Sequence, residues 1–120
     1  MNVEVKITRQ FEKNAKSLIK KYQSLKEELR ELQSSLLINP RIGVQIKENI
    51  YKIRISVKSK GKGKSGGLRI VTYIEAESLG DEESKIIYVY LLSIYDKSNT
   101  ENISDSEISK IISTIDYEEQ

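Results

Sequence analysis

The sequence predicts an α+β domain made of an N-terminal strand, an antiparallel helical hairpin, a four-stranded antiparallel meander and a short C-terminal helix. Two observations carry this. Hydrophobic residues recur with period two over residues 2–7, at helical spacing over 11–37, with period two again over 44–94, and at helical spacing over 108–115. The chain has 120 residues, enough for one buried core and no second folded unit, so residues 1–120 are read as a single domain.

Val3, Val5 and Ile7 alternate with polar residues, as in a half-buried strand. Thr8 then caps a helix whose Phe11, Ala15, Leu18, Ile19 and Tyr22 form one apolar stripe. Ser24 and Glu27 have the spacing of a capping box, so the first helix breaks near Gln23 and a second begins. Leu25, Leu29, Leu32, Leu36 and Leu37 line that second helix, and Asn39-Pro40 ends it, because proline disfavours a helical residue before it. Strands follow at Val44–Ile46, Ile50–Val57, Leu68–Ile74 and Ile86–Ile94, with a turn at Asn49 and connections over 58–67 and 78–84. The run from Ile86 to Ile94 is apolar on both faces, the pattern of a central strand covered on both sides. Ser104 and Glu107 form another capping box before Ile108, Ile111, Ile112 and Ile115.

Composition narrows the chemistry. Cysteine and histidine are both absent. That removes disulfides, Cys-based zinc sites and the usual general acid–base residue, leaving Lys, Arg, Tyr and carboxylates for any catalysis. No cofactor and no metal is expected. The N-terminus lacks a basic stretch followed by an apolar run, and no window approaches the ~18 apolar residues of a membrane span, so a cytoplasmic protein with no membrane partner is expected.

Charge is unevenly spread. The whole chain is +2, yet residues 41–69 hold nine Lys and Arg against Glu48 alone, a net +8. Such localisation is the footprint of a nucleic-acid binder. Within it, Lys58, Lys60, Lys62 and Lys64 alternate with small residues and form an RNA- or ribosome-binding loop suited to a phosphate backbone. Gly63-Lys64-Ser65 is not a P-loop: the glycine required five positions earlier is Lys58, and a strand rather than a helix follows.

Beside the loop, Lys52 and Arg54 share one strand face, while Tyr51, Ile53 and Ile55 take the other. Arg69 joins them if the strands at 50–57 and 68–75 pair as a hairpin. Like charges opposed in a sheet repel, so this cluster is costly without a polyanion. Tyr95 and Lys97 leave the last strand together and bring a phenol and an ammonium towards the same patch.

The helical hairpin ending in Asn39-Pro40-Arg41-Ile42-Gly43, then Tyr51-Lys52-Ile53-Arg54, the run Gly61-Lys62-Gly63-Lys64-Ser65-Gly66-Gly67-Leu68-Arg69-Ile70 and Leu91-Leu92-Ser93-Ile94-Tyr95-Asp96-Lys97-Ser98 together resemble the RelE superfamily of bacterial toxin–antitoxin toxins, especially its HigB-like branch. The resemblance runs nearly end to end and implies a RelE-like fold. It also implies a ribosome-dependent endoribonuclease that cuts messenger RNA in the decoding site without metal and is neutralised by a cognate antitoxin. In such enzymes the substrate's own 2′-hydroxyl attacks the adjacent phosphate. Arg69 matches the family's phosphate-stabilising arginine, and Lys52 and Arg54 match its basic pair. Lys97 lies where the family commonly keeps a basic residue. Some members use a tyrosine further on, but Asn102-Ile103-Ser104 has none, which leaves Tyr95, with Lys52, as the acid–base candidates. Two other readings stay open: a gyrase-inhibiting toxin of the ParE branch, and a non-catalytic RNA- or ribosome-binding module.

Overall fold

The computed structural model describes residues 2–61, 67–78, 85–98 and 102–115. The elements run β1 (Asn2–Ile7), α1 (Arg9–Lys21), α2 (Leu25–Ile38), β2 (Val44–Lys47), β3 (Ile50–Ile55), β4 (Leu68–Ser78), β5 (Lys85–Asp96) and α3 (Asp105–Ser113). They form a five-stranded sheet in the order β1-β5-β4-β3-β2. The four later strands make the expected antiparallel meander. The first strand returns to pair in parallel with the last, Asn2 opposite Ile86 through Ile7 opposite Leu91.

Both faces of the sheet are covered. On one, Phe11, Ala15, Leu25, Leu29, Leu32 and Leu36 of the helical hairpin pack against Ile53, Leu68, Ile70, Ile74, Val89 and Leu91. On the other, Ile108 and Ile111 of α3 pack against Ile50, Val71, Tyr90 and Leu92. Two cores therefore flank β5, which accounts for its unbroken apolar run.

Local signals act where the sequence puts them, with one exception. Thr8 caps α1 by accepting from the Phe11 amide at 3.1 Å, and its hydroxyl donates to the Leu91 carbonyl at 2.8 Å, tying the helix start to β5. Ser104 caps α3 by accepting from the Glu107 amide. Ser24 does not form the expected capping box. It has helical backbone angles and makes no side-chain cap; its hydroxyl meets Glu28 at 3.1 Å and accepts from the Ser59 amide at 2.9 Å. The side chain is drawn into a tertiary link between the start of α2 and the basic loop, so it is unavailable to its own helix.

Two backbone features set up the site. In β4–β5 the register shifts between Val71 opposite Ser93 and Thr72 opposite Leu91, an extra residue on β5. Leu91 and Ile94 consequently share the hairpin face, while Leu92 and Tyr95 share the α3 face. Strict alternation would have turned Tyr95 to the hairpin side. At the β2–β3 end, Gly43 adopts φ +102°, and a Cβ there would overlap the Lys52 carbonyl oxygen and lie 2.9 Å from Ile53 Cγ1. Only glycine fits beneath β3 at that point.

Candidate active site

Arg54 of β3 is paired opposite Arg69 of β4, and Arg69 is paired opposite Tyr95 of β5. These three residues form a row across adjacent strands on the α3 face. Lys52, two residues from Arg54, lies on that face beside Val71. Lys97 follows Asp96 at the end of β5. The sheet thus brings together Lys52, Arg54, Arg69 and Tyr95, and Lys97, just past β5, is near enough for its charge to act on Lys52.

Their environments differ. Arg54 is exposed, Lys52 half-buried, and Arg69 only 3% exposed. A buried guanidinium held in a strand is a preorganised cation rather than a mobile surface charge. The Lys52 ammonium is pushed below its ordinary pKa, first by partial burial and then by the charges of Lys97, Arg54 and Arg69. It donates to Asn102 Oδ1 at 2.8 Å. Tyr95 is 8% exposed, and its hydroxyl makes no hydrogen bond of good geometry among the described residues. Burial raises its pKa, while the Ile103 backbone and the Arg69 charge partly offset that rise. The phenol therefore stays protonated at neutral pH. The face holds a lysine shifted towards its neutral form, a protonated phenol and three further cations, the complement that a developing phosphoryl charge requires.

The lysine loop divides. Lys58 is exposed, and its backbone amide donates to Glu28 Oε2 at 2.8 Å. Lys60 does not extend outward as the alternation suggested: its ammonium is 2.7 Å from Asp96 Oδ1, in an ion pair whose side chains are 13% and 2% exposed. Lys62 and Lys64 lie outside the described residues.

Asp96 is one residue that sequence reasoning missed. Oδ1 also accepts from the Ser98 amide and hydroxyl, and Oδ2 accepts from the Tyr22 hydroxyl at 2.9 Å. Burial alone would raise its pKa, but the bonds from Lys60, Ser98 and Tyr22 outweigh burial and hold the carboxyl far below the usual range. The available signal was a lone carboxylate closing a strand of apolar residues. Asn102 was missed as well, since nothing local links it to a lysine fifty positions earlier.

A family model described as the RelE toxin of the RelE/RelB toxin–antitoxin system matches residues 3–116. The chain belongs to the RelE toxin family. A structure of Escherichia coli toxin RelE, a double arginine-to-alanine mutant in the free state, is similar over 96% of this chain and 99% of that one, with a TM-score of 0.51 and 19% identity. That likeness supports the fold, which has among the described residues three helices and a mostly antiparallel sheet of five strands. This RelE-family protein is thus the toxin half of a toxin–antitoxin pair. No helix among its described residues is long and apolar enough to cross a membrane.

Proposed function

We propose that this toxin is an endoribonuclease that cuts messenger RNA in the A site of the ribosome. The observation that carries the reading is the row Arg54, Arg69, Tyr95, with Lys52 and Lys97 beside it. Direct opposition of two arginines is unfavourable in an empty sheet and favourable once a phosphate lies between their charges.

The proposed reaction uses the substrate's own 2′-hydroxyl. Its oxygen attacks the adjacent phosphorus, the bond from phosphorus to the 5′ oxygen breaks, and the products are a cyclic phosphate and a free 5′-hydroxyl. Lys52 in its neutral form takes the proton from the attacking hydroxyl. Tyr95 returns one to the leaving oxygen, which requires the segment before α3 to move aside as RNA enters, because the hydroxyl is buried in the free protein. Arg69, Arg54 and Lys97 stabilise the phosphoryl oxygens as their charge grows. No metal is invoked: the cations of the sheet supply the positive charge. Lys58, with Lys62 and Lys64, grips backbone phosphates, and an acidic segment of the cognate antitoxin covers the +8 region.

The test is to incubate the purified protein with translating ribosomes and map the messenger ends. Cuts within the A-site codon are expected, and Arg69→Ala should slow cutting by about a hundredfold or more with ribosome binding retained. Binding by the wild type without cuts would replace this reading with that of a plain binding module.

A further inference from the structure

Lys52 presents an unusual problem of positioning. A lysine stem is flexible, and among the described residues the charges acting on this ammonium are repulsive: Lys97 after β5, Arg54 on its own strand and Arg69 on β4. Left to those charges, the ammonium would swing outward into solvent. What meets it instead is the side chain of Asn102, in the segment that leads into α3, at 2.8 Å. A lysine ammonium can only donate, so the amide oxygen is the atom that faces it.

The type of that partner matters. A carboxylate at position 102 would also anchor the ammonium, but it would favour the charged form and cancel the effect of the three cations. A carboxamide offers an acceptor with no net charge. It fixes the direction of the Nζ atom and, being a dipole rather than a charge, favours the charged form far less than a carboxylate would. Among the described residues, the side chain that holds Lys52 is neutral. The same segment also covers Tyr95, since Ile103 adjoins the phenol. Residues 102 and 103 therefore lie beside the two groups to which proton transfer is assigned, Asn102 on Lys52 and Ile103 on Tyr95.

From this geometry we infer that Asn102 is a positioning residue, an uncharged anchor that holds the Lys52 ammonium inside the cationic cluster and keeps it able to give up its proton. Its functional half rests on the cleavage reading above. Its electrostatic half stands on the free protein alone.

Two measurements test it separately. The first follows the Lys52 side chain by NMR titration of the free protein labelled at lysine Cε, in the wild type, Asn102→Asp and Asn102→Ala. Asn102 is exposed, so both variants should fold as the wild type does. Asn102→Asp should raise the Lys52 midpoint by about one pH unit or more. Asn102→Ala should broaden the rotamer distribution of the side chain. An unchanged midpoint in Asn102→Asp, together with unchanged side-chain order in Asn102→Ala, overturns the inference whatever the protein cleaves. The second measures the pH profile of messenger cutting on ribosomes. Asn102→Asp should move the acid limb upward with the Lys52 midpoint. Asn102→Ala should lower kcat about ten- to a hundredfold with KM unchanged, and Asn102→Gln should restore part of it. A titration that moves as expected with a pH profile that does not would overturn the functional half. A wild type that cuts nothing at any pH would defeat the cleavage reading and leave the titration to decide the anchor.

Discussion

The ammonium of Lys60 lies 2.7 Å from Asp96 Oδ1, joining the basic loop to the end of the last strand. The Tyr22 hydroxyl on the other carboxylate oxygen adds the C-terminal end of α1 to the same junction. Asp96→Asn should destabilise the fold by about 3 kcal/mol, because it leaves a nearly buried ammonium without its counter-ion. The pH dependence has a definite sign. A carboxyl whose folded pKa lies below its unfolded value contributes its full stability above the unfolded pKa, about 4, and loses it as pH falls further. Urea midpoints of wild type and Asp96→Asn should therefore differ by a constant amount from pH 7 down to about 4.5 and converge below that. A gap that stays constant to pH 2 would show that the interaction is not ionic.

Lys58 and Lys60 are equivalent in the sequence pattern and differ in the structure. Lys58→Ala should weaken ribosome binding modestly and reduce the salt dependence of affinity by about one phosphate contact, with stability unchanged. Lys60→Ala should do the opposite, lowering the unfolding midpoint while the salt slope stays near that of the wild type. Affinity measured against ionic strength, beside thermal melts of both variants, separates the two roles.

Arg54 opposes Arg69 directly, and this is a liability of the free protein. Arg54→Gln should raise stability by about 0.5 kcal/mol through relief of like-charge repulsion, while messenger cutting falls. A thermal melt and a cleavage assay on the same preparation check both signs. Loss of stability together with activity would mean that Arg54 supports the sheet rather than the substrate.

Tyr95 carries a buried hydroxyl that lacks a well-aligned partner among the described residues. Tyr95→Phe removes the polar atom and keeps the ring, so stability should hold or rise by up to about 1 kcal/mol. Cutting should nevertheless fall by about a hundredfold, with the basic limb of the pH profile lost, if the phenol donates the proton. Wild-type rates in Tyr95→Phe would transfer the acid role to another group.

Most of the architecture was legible in the sequence, since every strand and helix is announced by residues two to four positions apart. The four-strand meander, the end of α2 at Asn39-Pro40 and the cap of α3 by Ser104 depend on such neighbours. So does the clustering of Lys52, Arg54 and Arg69, because a short-range period assigns the face and a hairpin assigns the partner. Ser24 shows the limit. Its local signal is a capping box, and Ser59 outcompetes it from thirty-five residues away.

By itself the sequence determined the order of elements, the two-sided burial of β5 and the location of the positive charge, because burial periodicity and charge are properties of consecutive residues. The tertiary structure alone decided that β1 pairs in parallel with β5, that a bulge turns Tyr95 onto the face of Arg69, that Lys60 is withdrawn by Asp96, and that Asn102 holds Lys52. Each of these joins segments from about twenty-five to more than eighty residues apart. Such contacts depend on which packed surfaces meet once both cores have formed, and no local period encodes that.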